Sequence, residues 1–174
     1  MLIFVTGGYR SGRSNYAIRR AAELGPPPWL YVTAGEETDE AVRKRIERQR
    51  RDKEAIWQTA VMPPDLRSLL AIDQIGSMGA VVLDGFQAWL TTRMADTAAS
   101  AEAALLSELE ATAELLYRSR VPVLLVSQEV GMGLMPSDPA GRRFLRIATS
   151  ANQILAAMAN HVVMMVSGVP LKVR

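Results

Sequence analysis

Gly7-Gly8-Tyr9-Arg10-Ser11-Gly12-Arg13-Ser14 fits the phosphate-binding template G-x-x-x-x-G-K-[ST] at every fixed position except the lysine. Glycines let such a loop curl until several N–H groups point inward at phosphate oxygens, and the positive end of the following helix adds to the attraction. Ser14 would offer its hydroxyl to Mg²⁺. Asp84, which closes an apolar strand, is the matching direct or outer magnesium carboxylate. The competing reading is a glycine turn that only joins a strand to a helix, with Asp84 as a strand-end cap. The strand–loop–helix context favours phosphate.

Arg13 stands where the template has lysine. Lysine is a slim point charge that can follow moving charge on the β and γ phosphates. Arginine keeps the charge but brings a planar, bulkier fork. It can hold phosphate bidentately, so the expectation is that binding partly survives while phosphoryl transfer suffers. Losing transition-state charge stabilisation at such a site costs about two to four orders of magnitude in rate.

These residues need elements to position them. Leu2 to Thr6 is a continuous apolar run ending in glycines, which reads as a buried strand feeding a turn. Ser14 to Leu24 has helical spacing (Ala17, Ile18, Ala21, Leu24) and stops at Gly25. Further strands are expected at Trp29 to Ala34, Ala80 to Gly85 and Val121 to Ser127, then over "HVVMMVSG" from His161, with a short last one at Pro170 to Val173. A helix is expected from about Asp39 to Ala55, where composition favours a solvated, mixed-charge face over a binding patch. Ser100 to Arg118 reads as an amphipathic helix with Leu105, Leu106, Leu109, Leu115 and Leu116 on its apolar side. Asp138-Pro139 reads as an N-cap and first helical residue, opening a helix to about Asn160. Strands alternating with helices imply an α/β fold: one domain over 1–174 whose mostly parallel sheet is covered by helices on both faces. Ligands in such sheets bind at the carboxyl ends of the strands. The Gly7–Ser14 loop, Asp84 and the "SQEVGMG" segment all follow strands at that edge.

Composition narrows the function classes. The chain has 174 residues, of which 49% are hydrophobic, so it can bury a core. A net charge of only +2 does not suggest a nucleic-acid binder. The chain contains no cysteine, which removes disulfides, thiolate metal sites and a thiol nucleophile, and suits a cytoplasmic location. No apolar run is long enough to span a bilayer, and no signal-peptide pattern opens the chain.

"TGGYRSGRS", "YVTA", "DEAVRKRIERQRRDKEAIWQT", "VVLDGFQAWLTT", "VLLVSQEVGMGLMP" and "NQILAAMANHVVMMVSGVPLKV" occur in order over essentially the whole chain. Together they resemble the bifunctional adenosylcobinamide kinase / adenosylcobinamide-phosphate guanylyltransferase family of cobalamin biosynthesis. The resemblance implies a RecA-like P-loop fold and a trimer. It also implies phosphorylation of adenosylcobinamide with GTP or ATP and Mg²⁺, then transfer of GMP through a guanylylated histidine. It adds Glu129 to Arg13 and Asp84 as a catalytic candidate, and Thr33 to the nucleotide-binding residues. An apolar helix face around Phe86, Trp89 and Leu90 could serve the trimer, with ordinary core packing as the alternative.

The departures from that family are specific. Its loop lysine is Arg13. Its guanylylated histidine falls at Arg48 or Gln49, neither of which can form a phosphoramidate. His161, the chain's only histidine, precedes the last core strand and reads as structural. The acid that follows Trp-x-Thr in the family is replaced by Ala60 and Val61. The pattern L-D-C-x-T becomes Leu83-Asp84-Gly85-Phe86-Gln87, and the asparagine before E-V-G becomes Gln128. Three readings stay open: an active kinase or kinase/transferase, a nucleotide- or corrinoid-binding homologue without the transferase step, and a P-loop assembly partner.

Overall fold

The structure is a computed structural model that describes residues 1–34, 44, 57–70, 73–95 and 101–174. The expected helix over Asp39 to Ala55, with Arg48 and Gln49, lies outside the described residues apart from Lys44.

The long apolar runs become strands because both of their faces are buried. All residues of β1 (Leu2–Gly7), β4 (Ala80–Asp84) and β5 (Val123–Val126) are buried. With β2 (Trp29–Thr33), β3 (Trp57–Val61), β6 (His161–Val166) and β7 (Val169–Lys172) they form one sheet in the order β3-β2-β4-β5-β1-β6-β7. β6 and β7 pair antiparallel, and every other pairing is parallel. The expected mostly parallel sheet is therefore present. The strand bounds are tighter than the sequence suggests: β2 stops before Ala34, and β5 begins after Pro122, which cannot donate to a ladder.

The described helices are α1 (Arg13–Leu24), α2 (Arg67–Leu70), α3 (Phe86–Ala95), α4 (Glu102–Arg118) and α5 (Pro139–Met158), with a 3₁₀ turn at Asp73–Ser77. They lie on both faces of the sheet. Alternation along β1 divides the core. Ile3 and Val5 pack with Ala17, Ile18 and Ala21 of α1. Leu2 and Phe4 pack on the other side with residues of α3, α4 and α5. Phe86, Trp89 and Leu90 are buried in that second layer. Core packing, not an exposed apolar face, is what these three do. Leu115 is a second correction. Leu105, Leu109 and Leu116 are buried, but Leu115 is 43% exposed, because it lies about 100° around the helix from Leu116.

The parallel strands bring Gly7, Thr33, Asp84 and Ser127 to one edge of the sheet. Thr33 is directly opposite Asp84 in the β2–β4 register. His161 is opposite Ile3, at the other end of the strands.

Candidate functional site

Two glycines set the course of the loop between β1 and α1. Gly7 has a φ of 148°, and a Cβ there would lie 2.5 Å from the Met165 carbonyl oxygen. Gly12, at the helix N-cap, has a φ of 91°. Arg10, on the exposed crown with Gly8 and Tyr9, is also left-handed, at 54°. L-residues carry a steric penalty in this region.

The loop is held from two sides. The Glu129 N–H donates to the Gly7 carbonyl at 2.9 Å, and the Gly168 N–H donates to the Ser11 carbonyl at 3.0 Å. Within the loop the Ser11 N–H donates to the Gly8 carbonyl. Gly168 belongs to the two-residue turn between β6 and β7. There Ser167 and Gly168 both have positive φ, 49° and 86°, as a tight primed turn requires. The terminal V-S-G-V-P segment thus supports the loop from the neighbouring hairpin.

α1 starts without a side-chain cap and without an acid in its first turn. Its leading N–H groups therefore face the loop without a side-chain acceptor, which is the electrostatic setting for an anion. The hydroxyls of Thr6 and Ser11, at the base of the loop, are buried without a hydrogen-bond partner.

Arg13 is half-buried in the first turn of α1. Burial pulls its guanidinium below the ordinary arginine range, and the nearby Asp84 carboxylate opposes that shift. Asp84 is buried at the end of β4. One carboxylate oxygen accepts from the Gly85 N–H at 2.8 Å, and the other accepts from the hydroxyl of the buried Tyr31. Asp84 is therefore a fixed, oriented charge rather than a free surface acid. The Ser14 hydroxyl, half-buried in the same turn as Arg13, makes no hydrogen bond among the described residues.

No group of three or more His, Cys, Asp or Glu that could cage a metal occurs among the described residues. The Ser14 hydroxyl and the Asp84 carboxylate are oxygen donors of the type that Mg²⁺ takes.

Glu129 contributes through its backbone. Its carboxylate accepts from the Gly131 N–H at 2.7 Å, within its own turn, while its amide secures the loop. Thr33 is half-buried beside Asp84, and its carbonyl accepts from the Met62 N–H at 2.8 Å.

A polar cluster missed by sequence reasoning anchors the segment before Glu129. Gln87 Nε2 donates to Ser127 Oγ at 2.8 Å, and Ser127 Oγ donates to Asn152 Oδ1 at 2.7 Å. Asn152 Nδ2 and Gln87 Nε2 both donate to the Gln128 carbonyl, at 2.9 and 3.2 Å. The backbone of residue 128 is what this cluster uses, so glutamine at that position leaves these bonds in place. Only the position of Gln87, where the family pattern has threonine, hinted at the cluster. Tyr31 stands in the quoted "YVTA" segment, but nothing in the sequence tied it to Asp84.

The fold and this edge define a class: an α/β protein with a mostly parallel sheet and a glycine loop at the carboxyl ends of its strands, opening onto an uncapped helix. The particular family follows from comparison with known proteins. The model of the family "Cobinamide kinase / cobinamide phosphate guanyltransferase" matches residues 3–173, and the chain belongs to that family. The "Bifunctional adenosylcobalamin biosynthesis protein CobU" of Salmonella typhimurium is 31% identical over 185 residues, covering 100% of both chains. The Escherichia coli protein of the same description is 31% identical over 184 residues with the same coverage. The "Bifunctional adenosylcobalamin biosynthesis protein CobP" of Pseudomonas aeruginosa is 29% identical over 170 residues, covering 98% of this chain and 95% of the relative.

Proposed function

We propose that the chain is a RecA-like P-loop member of this family. In this reading it binds GTP or ATP with Mg²⁺ on residues Gly7–Ser14, phosphorylates adenosylcobinamide slowly, and lacks the histidine-linked guanylyl transfer. The observation that carries the reading is the glycine loop braced from two sides in front of an uncapped α1. Backbone amides of that loop would hold the phosphate oxygens. Arg13 would bring positive charge to the polyphosphate, and Asp84, with both oxygens oriented by Tyr31 and Gly85, would hold the charge balance of the pocket. Ser14 and Asp84 would hold Mg²⁺, which would supply charge neutralisation on the phosphates. Glu129 keeps the loop shaped through its amide, and its carboxylate would accept the proton of the acceptor hydroxyl.

Covalent guanylylation needs a nucleophile that can hold GMP and release it. Arg48 and Gln49, where the family histidine falls, cannot do this. His161 lies at the opposite end of the strands, roughly 13 Å from the loop at the usual rise per residue. Incubation with labelled GTP and Mg²⁺ is expected to leave no acid-labile protein–GMP adduct, and an adduct would refute this part.

Calorimetric titration tests the nucleotide site. Binding of GTP or ATP below about millimolar dissociation constant supports it, and no heat at all at that level leaves the assembly-partner reading. That second reading has one observation in its favour. Arg13 already has a carboxylate neighbour in Asp84, which would keep it from phosphate. Normal cobinamide phosphorylation would instead show that Arg13 is fully tolerated.

The trimer is proposed with the family reading. It is supported by the apolar row Val166, Val169 and Leu171, all exposed on one face of the β6–β7 hairpin. A light-scattering mass of one protomer would remove it. Among the described residues no helix is long and apolar enough to cross a membrane, and a cytoplasmic location is part of the same proposal.

A further inference from the structure

α1 packs over β1, β5 and β4. On that face of the sheet it leaves the β6–β7 side uncovered, and a trough of about 480 Å³ opens between helix and hairpin. That volume falls within the roughly 300–1,000 Å³ of small-molecule sites. Ile3 and Val163, both buried, form an apolar floor, and the ring of Pro170 extends it.

The helix wall is a stripe at Tyr16, Arg19, Arg20 and Glu23, spaced so that all four share one side of α1. Lys172 closes the hairpin side and His161 the end. Glu23, the single carboxylate among the lining residues, is ion-paired with Arg20 at 2.7 Å. The side chains of Arg19, Lys172 and His161 make no hydrogen bond or ion pair among the described residues. Arg19, Arg20 and Lys172 thus stand against one acid, Glu23, that Arg20 already satisfies, above a floor that is apolar.

We infer that this trough is a second ligand site, separate from the phosphate loop, for a small molecule with a flat apolar body and a phosphate or carboxylate group. The flat body would lie on Ile3, Val163 and Pro170, with the Tyr16 ring beside it. Arg19 and Lys172 would take the anion through charge-assisted hydrogen bonds, from opposite walls. His161 would supply a further donor at the end of the trough. An acidic peptide would find no long groove here, and the bounded volume favours a small molecule. The inference does not depend on the nucleotide reading, because the loop and the trough share no residue.

His161 is the chain's only histidine, so its ring-proton NMR signal reports on the trough without ambiguity. The test titrates 1-naphthyl phosphate into the intact protein while that signal is followed. Inorganic phosphate and 1-naphthol serve as the two fragments. Saturable shifts are expected, with the whole probe binding more tightly than either fragment. The double variant Arg19→Gln/Lys172→Gln should weaken binding by roughly tenfold or more, while Arg13→Gln leaves it unchanged. Both substituted side chains of the double variant are on exposed residues, and an unchanged circular dichroism spectrum confirms its fold. No saturable shift up to about 10 mM would overturn the inference. So would 1-naphthol binding as well as its phosphate, or loss of binding in Arg13→Gln alone. A trough covered by a second copy would show as a fall in sedimentation mass in the double variant without probe binding, and this too would overturn it.

Discussion

At Arg13 the chain keeps charge at the phosphate loop but changes its shape. The guanidinium is half-buried and shares its surroundings with Asp84, whereas a lysine there would be thinner and more mobile. Arg13→Lys is therefore expected to raise phosphoryl transfer by about tenfold or more, read as product formed per protomer in a kinase assay with cobinamide. No change would mean that residue 13 does not limit the rate. At Gly7 the constraint is steric. A methyl group would meet the Met165 carbonyl at 2.5 Å and force a positive φ on an L-residue. Gly7→Ala should destabilise the protein by roughly 2–4 kcal/mol in urea unfolding and weaken nucleotide binding in the folded fraction. An unchanged midpoint would show that the strand end can shift at little cost. Both positions could be singled out in the sequence, as could Asp84 beside Arg13, but the approach of Met165 to Gly7 could not.

The elements differ in how plainly their ends are marked. α5 opens as read: Asp138 accepts from the Gly141 N–H at 2.7 Å and Pro139 follows. That bond holds the Asp138 carboxyl below its ordinary range. A carboxyl depressed on folding stabilises the native state above its unfolded value, and the contribution disappears as pH falls through the folded value. Asp138→Ala should thus lower the melting temperature at neutral pH, with the difference from wild type closing below the ordinary carboxyl range. A pH-independent difference would assign the effect to something other than the charged cap. α1 behaves oppositely, with its start left open beside the loop. β3 was not foreseen because only Trp57 of its five residues is buried. An edge strand with one apolar anchor carries too weak an alternation to be read locally. The short Arg67–Leu70 helix and the 3₁₀ turn after it escaped for the same lack of period.

Across the whole molecule, three elements meet at the cluster of Gln87, Ser127 and Asn152. α3, the end of β5 and α5 are joined there by buried and half-buried hydrogen bonds. Through the Gln128 carbonyl and the Glu129 amide, the same segment reaches the Gly7 carbonyl. Asn152→Ala would leave buried polar groups unpaired and should cost about 1–3 kcal/mol. Its coupling to Gln87→Ala in a double-mutant cycle should be at least about 0.5 kcal/mol. Strictly additive effects would show that the residues do not act as a unit.

The alternation of most strands and helices, the loop between the first pair and the place of Asp84 at a strand end were legible in the sequence alone. Each depends on residues a few positions apart, through hydrophobic period, glycine and proline. Tyr31 meeting Asp84 across 53 positions, Gln87 meeting Asn152 across 65, and the hairpin turn bracing the loop were decided only by the tertiary structure. So was the open trough beside α1. These depend on which strands become neighbours and where a helix settles across a wide sheet. Burial of the whole core determines that choice, and no local run of residues encodes it.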